Sequence, residues 1–293
     1  MGHIITYPFK PIKNPKQNIH IISISERIDK GKDSVLVPHR TDFYIVHVIT
    51  GGKSSHMVDF NEIAIEKGDV LFTVPGQVHA FRKEEDYDGW LVAFSRDFFY
   101  QSSQDNYFLD NANIFNNLYP ITSINFKEDE LNAILTLILK ITAELQKTSD
   151  TFQRTILHND LSSLLLLSER KFMQENQGKT QNSLQTHDNK LVTEFKKLVT
   201  KFFRNQTMVK YYAGELFVSE RTLQKATMTV LGKSPKELIN EQIILESKRL
   251  LVHELMTVKE IGYDLGFDEP STFTKFFKKY TGISPSKFKM DIS

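Results

Sequence analysis

Two stretches decide the architecture: Val209–Gly232, VKYYAGELFVSERTLQKATMTVLG, and Thr257–Gly282, TVKEIGYDLGFDEPSTFTKFFKKYTG. In the second, Thr257 is placed to cap a helix over Val258–Leu265, Gly266 supplies a turn, and Pro270 suits the first turn of the next helix. In the first, Tyr212, Ala213, Leu216 and Phe217 share one face of a short helix. Val218 interrupts it, and Ser219 has the chemistry to cap a helix over Glu220–Leu231. Both stretches spell helix, tight turn, helix. Each ends alike, in Gly232-Lys233-Ser234-Pro235 and in Gly282-Ile283-Ser284-Pro285, an internal repeat at a spacing of 50 residues. Between them Pro235–Leu251 reads as one amphipathic helix.

In such a unit the second helix enters a DNA major groove. Leu216, Leu223, Phe273, Phe276 and Phe277 have the spacing of core residues. The outward side chains are Ser219, Glu220, Arg221, Thr222, Gln224 and Lys225 in the first unit, and Ser271, Thr272, Thr274, Lys275 and Lys278 in the second. One such pattern alone is as easily part of a structural bundle. Two in tandem, with basic residues on both second helices, favour double-stranded DNA as the partner. Charge agrees: from Asp188 onward 18 Lys+Arg face 13 Asp+Glu, a net of +5, and the rest of the chain carries −4, so the whole-chain value of +1 hides a basic C-terminal part. A connecting helix of 17 residues is roughly 25 Å long at 1.5 Å per residue. With the widths of the flanking helices, this approaches the roughly 34 Å of one turn of DNA.

The 293 residues suit two domains, and 40% hydrophobic with 25% charged residues is a soluble globular composition. The absence of cysteine excludes disulfides, Cys-ligated zinc, iron–sulfur clusters and thiol nucleophiles. Met1–Lys10 lacks the apolar core of a signal peptide, and Leu131–Leu139 is about half the length of a membrane span. The expectation is a cytoplasmic protein with no membrane partner. P-loop, GxGxxG, GxSxG and HExxH patterns are missing, so no catalytic residue is assigned.

From Ile19 to Phe99 the chain reads as short strands: Phe43–Ile49, His56–Phe60, Ile63–Ile65, Val70–Val74, Val78–Phe81 and Trp90–Phe94. Gly51-Gly52, Gly68-Asp69, Pro75-Gly76 and Asp88-Gly89 punctuate them, which suggests a closed barrel. From Lys127 to Glu175 the period becomes helical. Leu131, Leu135, Ile138, Ile141 and Leu145 form one stripe, and Ile156, Leu157, Leu161, Leu164, Leu165 and Phe172 another. This αα-hairpin carries more apolar surface than one helix pair hides, which makes it the expected homodimer contact. Gln174–Asn189 is polar and reads as a linker. The acidic run Glu84-Glu85-Asp86 reads as a solvated loop. Lys10, Lys13 and Lys16, among Pro8, Pro11 and Pro15, form an extended N-terminal stretch.

The C-terminal residues resemble the AraC/XylS family of bacterial transcription regulators. The family's second unit looks like I-A-x-x-x-G-F-x-D-x-S-x-F-x-R-x-F-K-K-x-x-G-x-S-P-x-x-Y-R. Here it stands as Ile261, Gly266-Phe267, Ser271, Phe273, Phe276 or Phe277, Lys278-Lys279, Gly282, Ser284-Pro285 and Phe288. Gly262 replaces Ala, Lys275 replaces Arg, and Phe288-Lys289 replace Tyr-Arg. In the first unit Ser219, Leu223 and G-x-S-P match, while Lys225 stands for an Arg and Thr227-Met228 for Phe-Lys. Lys copies the bidentate contact of Arg to guanine poorly.

Gly68-Asp69 followed by Pro75-Gly76-Gln77-Val78-His79 looks like the second cupin motif, and His39 sits where the first begins. The resemblance implies a cupin-like sensor barrel, with an N-terminal arm that in this family sometimes covers the ligand. By period two His39, Thr41, Phe43, Ile45 and His47 fall on one face, pointing inward. The expected ligand-binding residues are His39, Phe43, His47 and His79, with Trp90 as a further wall. Metal cupins resemble H-x-H, a Glu and a late His. Here Thr41 stands for the second His and Ile45 or Val46 for the Glu. His39, His47 and His79 are the histidines that could converge, but a working site needs three well-placed ligands and support around them. The reading taken is no metal and no cofactor. His20, His56, His158, His187 and His253 read as ordinary surface or helix positions.

The expectation is therefore an α+β two-domain protein. Residues 1–176 form a cupin-like β-barrel with an αα-hairpin for sensing and dimerisation, 177–189 a linker, and 190–293 an all-α domain with two helix-turn-helix units. It would be a sequence-specific DNA-binding regulator, an activator under a small organic effector, with RNA polymerase as a further partner. The rivals are a cupin-type metal enzyme with a helical appendage, and a regulator without a ligand.

Overall fold

The computed structural model describes residues 6–9, 18–31, 35–59, 61–82, 87–115, 123–175, 187–253 and 256–292. Two compact units lie within Ile5–Gln177 and Gly178–Ser293. The expected acidic loop at 84–86, the lysines at 10, 13 and 16, and most of the expected linker lie outside the described residues. Where the linker is described it is shorter than its composition suggests. Gln174 and Glu175 still belong to one helix, and the next opens at His187 with Asp188 in its first turn, where the positive end of the helix dipole favours an acid.

The first unit is built on two five-stranded sheets. One runs in the order β1 (Thr6–Tyr7), β3 (His39–Thr41), β8 (Val78–Ala80), β5 (Lys53–Val58), β6 (Asn61–Glu66). The other runs β10 (Ile124–Asn125), β7 (Asp69–Thr73), β4 (Tyr44–Gly51), β9 (Asp88–Phe94), β2 (Ile19–Ser23). The sequence run from His39 to Ile49 is thus two strands in two sheets, broken at Asp42-Phe43. There Asp42 Oδ1 accepts from the Phe9 N–H at 2.8 Å, and Thr41 donates to the Phe43 carbonyl at 3.1 Å.

Strand β4 is buried on both sides, so it reads as a continuous apolar run. Ile45 and Ile49 join Leu71, Leu91, Val58, Ile63, Ile65 and Phe81 in an inner core. Tyr44, Val46 and Val48 join Val70, Phe72, Val92 and Phe94 in an outer core, which helices α4 (Glu128–Gln146) and α5 (Gln153–Glu175) complete with Leu131, Ile134, Ile138, Ile141, Leu157, Leu161, Leu164 and Leu165. The apolar surplus of the hairpin is therefore spent on the sheet of the same chain. It does not by itself call for a second copy. What stays exposed is smaller: Leu139, Phe152, Ile156, Leu166 and Met173. Two short helices, α1 (Ile24–Gly31) and α2 (Arg96–Phe99), fall within what reads as an all-strand region, and a third, α3 (Ser103–Asn111), follows it.

The second unit is all helical: α6 (His187–Phe202), α7 (Val209–Glu215), α8 (Glu220–Leu231), α9 (Pro235–His253), α10 (Val258–Asp264), α11 (Pro270–Thr281) and α12 (Pro285–Ile292). Helix α9 packs against α6, α8, α10, α11 and α12, burying Ile239, Ile243, Leu250 and Leu251. Its buried Glu246 carboxylate accepts from Arg204 at 2.9 Å and from Arg249 at 3.2 Å.

The two tight turns have one geometry. The Val218 N–H donates to the Ala213 carbonyl, and the Phe267 N–H to the Gly262 carbonyl, each at 3.0 Å. The residue before each donor is left-handed: Phe217 at φ 54° and Gly266 at φ 82°. Phe217 is thus the exposed turn residue rather than a member of the helix face. At Gly266 no side chain fits, since a Cβ would lie 1.9 Å from the Arg204 carbonyl oxygen. Gly262, where the family pattern has Ala, packs directly on the Phe273 side chain.

A left-handed conformation costs an L-residue about 1–2 kcal/mol. Phe217→Gly is therefore expected to stabilise the chain by about 1 kcal/mol, and Gly266→Ala to destabilise it by more than about 2 kcal/mol, in denaturant unfolding. The opposite ranking contradicts this account of the turns.

Candidate nucleic-acid interface and barrel interior

Each second helix is started by local chemistry. Ser219 Oγ accepts from the Thr222 N–H at 3.1 Å and caps α8. Pro270 occupies the first turn of α11, where a missing N–H costs nothing. Both helices end in a left-handed glycine, Gly232 and Gly282. Their N-termini are favourable ends for a phosphate.

Leu223, Ala226 and Thr227 bury one side of α8, and Phe273 and Phe277 one side of α11. That leaves Glu220, Arg221, Thr222, Gln224 and Lys225 exposed on α8, and Ser271, Thr272, Lys275 and Lys278 exposed on α11. Arg221, Lys225, Lys275 and Lys278 have no ion partner among the described residues, so their charges are available to an anion. Three of the expected residues are already engaged. The Ser219 and Thr222 hydroxyls lie 2.8 Å apart, and Thr274 donates to the Pro270 carbonyl at 3.0 Å. Met228, Thr229 and Lys279 are also exposed on these two helices. They extend the α8 stripe at the i+3/i+4 spacing from Lys225 and the α11 stripe beyond Lys278.

In the barrel, His39, His47 and His79 are buried and come together. Ring centroids lie 4.3 Å apart for His39–His79 and 5.9 Å for His47–His79. His56 joins them, fully buried, with centroids 4.6 Å from His47 and 5.4 Å from His79. This corrects the surface reading of His56: β5 pairs with β8 so that Val58 faces His79, and His56 shares the inward face of Val58. His158 is also buried rather than superficial, beside Asp105 at 3.4 Å and the Phe99 ring. Phe43 packs against the inner core and the Phe9 ring, and Tyr7 sits edge-on to His39. Trp90 is placed elsewhere. By period two it shares the face of Val92 and Phe94 and packs in the outer core, on the opposite side of β9 from Leu91.

The cupin-like residues build turns. Asp69 accepts from the Glu66 N–H at 2.9 Å and from Asn125 at 2.9 Å. Gln77 accepts from the Val74 N–H at 2.8 Å. The four imidazoles are electrically quiet. Burial pushes His39 down to about 4, and burial followed by the neighbouring imidazoles holds His47, His56 and His79 well below the ordinary histidine range.

A model of the AraC-like ligand binding domain matches residues 25–159, and a helix-turn-helix domain model matches residues 212–291. The chain belongs to the AraC family. Among AraC-family relatives, it is 23% identical to the Msm operon regulatory protein of Streptococcus mutans over 92% of this chain and 91% of that protein. It is 23% identical to the arabinose operon regulatory protein of Escherichia coli over 84% of this chain and 80% of that one. The solved structure of ToxT from Vibrio cholerae aligns over 93% of this chain and 97% of that chain, with 16% identity and a TM-score of 0.42. As an AraC-family member the chain is a DNA-binding transcription regulator with a β-rich ligand binding domain and a helical DNA-binding domain. No helix among the described residues is long and apolar enough to cross a membrane.

An imidazole held neutral in the folded chain, but protonated near 6.5 once unfolded, binds fewer protons folded than unfolded. Stability is then full above about 6.5 and falls as the pH drops toward 4. Thermal melts in chelator-containing buffer are expected to show a lower midpoint near pH 5 than near pH 7.5, with His39→Gln narrowing the gap. A midpoint that is the same at both pH values contradicts the buried neutral histidines.

Proposed function

We propose that the chain is a cytoplasmic transcription activator that works as a homodimer and reads two adjacent major grooves on one face of the duplex. The observation carrying this is the pair of equivalent helix-turn-helix units joined by one packed helix. Helix α9 has 19 residues, roughly 28 Å at 1.5 Å per residue, so the two reading helices are held at a fixed offset near one turn of DNA. Lys and Arg on phosphates supply affinity and salt dependence. Arg221, Gln224 and Lys225 on α8, and Ser271, Thr272, Lys275 and Lys278 on α11, read bases and set register. Ser219, Thr222 and Thr274 act mainly by shaping the helix starts.

The barrel takes a small organic effector beside His39, Phe43, His47 and His79, and the dimer contact uses the exposed Leu139, Phe152, Ile156 and Leu166 of the hairpin. Effector binding changes transcription only through unequal affinity for two arrangements of the regulator. Contact with RNA polymerase completes the activator reading, which assigns no catalytic residue.

Footprinting with the purified chain is expected to show protection over about two turns of DNA. Lys275→Ala is expected to cost about 1–3 kcal/mol with relaxed preference at one base pair, and Arg221→Ala to act separately about one turn away. A uniform, smaller loss that vanishes at high salt would reduce Lys275 to a phosphate contact. A single-groove footprint, or one indifferent to both substitutions, contradicts the tandem reading. For the hairpin, Leu166→Glu is expected to shift the chain from dimer to monomer in sedimentation, and an unchanged dimer would place the contact elsewhere.

A further inference from the structure

The barrel interior contains a side-chain cluster that DNA reading does not use. His47, His56 and His79 are each fully buried, and one ring nitrogen from each lies within 4.8 Å of the other two. They arrive from β4, β5 and β8, that is, from both sheets. The cupin-like metal pattern does not produce this set. Its second-His position is Thr41 and its Glu position Ile45 or Val46, while His47 and His56 lie outside it.

Each of the three rings keeps one nitrogen without a hydrogen-bond partner: His47 Nδ1, His56 Nδ1 and His79 Nε2. Buried polar atoms normally have a partner, and since an imidazole gives one nitrogen to one ion, the orphan that an ion held by this cluster would fill is His47 Nδ1. The remaining nitrogens are engaged in a way that suits ligation. His47 Nε2 lies 3.2 Å from Thr73 Oγ1, which fixes that ring, as an outer partner does for a metal-ligating imidazole. His56 Nε2 and His79 Nδ1 are 3.3 Å apart. For metal–nitrogen bonds of about 2.0–2.1 Å, two ligands of a tetrahedral ion are separated by roughly 3.4 Å. Burial keeps the imidazoles neutral, the form that offers a lone pair.

We propose that His47, His56 and His79 form a binding site for one divalent transition-metal ion inside the barrel. An all-imidazole set suits Zn²⁺, Co²⁺, Ni²⁺ or Cu²⁺, whereas Mg²⁺ and Ca²⁺ require oxygen ligands. Among the described residues no carboxylate acts on the three rings, and the charged side chain that does act on His79 is Arg27. The bound ion therefore keeps its charge, and its open position goes to water or to an anion. His39, held by the Val37 carbonyl at 3.0 Å, stands beside that cluster. The site goes beyond the effector reading and holds whether or not an organic effector binds.

The test uses the full chain after chelator treatment, titrated with Co²⁺ as a visible-band probe and then with Zn²⁺ in competition, with Zn²⁺ and Mg²⁺ compared in thermal melts. Tetrahedral Co²⁺ bands saturating at one equivalent, displacement by Zn²⁺, and a melting temperature raised by Zn²⁺ but not by Mg²⁺ are expected. His47→Gln, His56→Gln and His79→Gln should each weaken binding at least about a hundredfold, Thr73→Val about tenfold, and His158→Gln should leave it unchanged. Absence of one-equivalent binding in the wild-type chain overturns the proposal whatever the variants do. So does binding that survives all three histidine substitutions, which would place the ion elsewhere. DNA footprinting on the same samples keeps the outcomes apart, since loss of metal binding with intact DNA binding rejects the site and leaves the regulator.

Discussion

A single helix, Pro235–His253, has to bury itself against both helix-turn-helix units at once, and the DNA-binding half depends on that constraint. Its apolar residues Ile239, Ile243, Leu250 and Leu251 are buried, and Asn240 donates to the Tyr280 hydroxyl on α11. Lys236 donates to the Thr207 carbonyl ahead of the first unit, at 2.8 Å. Glu246 is bonded to both Arg204 and Arg249, and Arg204 reaches on to Asp264 at the end of α10. Breaking such a buried pair by removing one partner is costly, because a charge is left unmatched. The same Arg204 backbone closes over Gly266. One ion network therefore fixes the long helix and the second turn together, while packing against α8 holds the first unit to the same helix.

The barrel half follows from a different constraint, the two-sided burial of β4. Its even and odd residues belong to different cores, so a one-residue slip would exchange the barrel interior for the helix-facing side. This parity puts His47 inside, where His39, His56 and His79 meet it from the other sheet, and through the Val48–Trp90 pairing it sends Trp90 out. It also absorbs the apolar stripes of α4 and α5, which leaves a modest exposed surface on the hairpin.

Much of this was legible in the sequence, because it is local. The caps at Ser219 and Thr257, the proline at Pro270 and the glycine stops announce helices within a few residues of themselves. The strands from Tyr44 to Phe94 were equally visible through their turns. What was not legible depends on long-range pairing. His56 reads as an isolated polar residue until β5 is placed beside β8. Trp90 faces out because of its register on β9, which no nearby residue reports. The helices α1 to α3 are too short to show a period. Phe217 looks like part of a helix face, since nothing in its type marks a left-handed turn; only the parallel with Gly266 in the second unit could have signalled it.

The central claim is that one rigid helix holds two reading helices at a fixed distance suited to adjacent major grooves. Because the chain has no cysteine, Thr229→Cys with Lys279→Cys places one spin label on each of α8 and α11 at exposed positions outside the base-reading set, and mixing with an excess of unlabelled chain leaves one labelled copy per dimer. Pulsed electron–electron distance measurement on the free chain is expected to give a single narrow distribution near one turn of DNA, roughly 34 Å, unchanged when a bound DNA site is added. A broad or bimodal distribution in the free chain, or one that narrows only on DNA, would contradict the account.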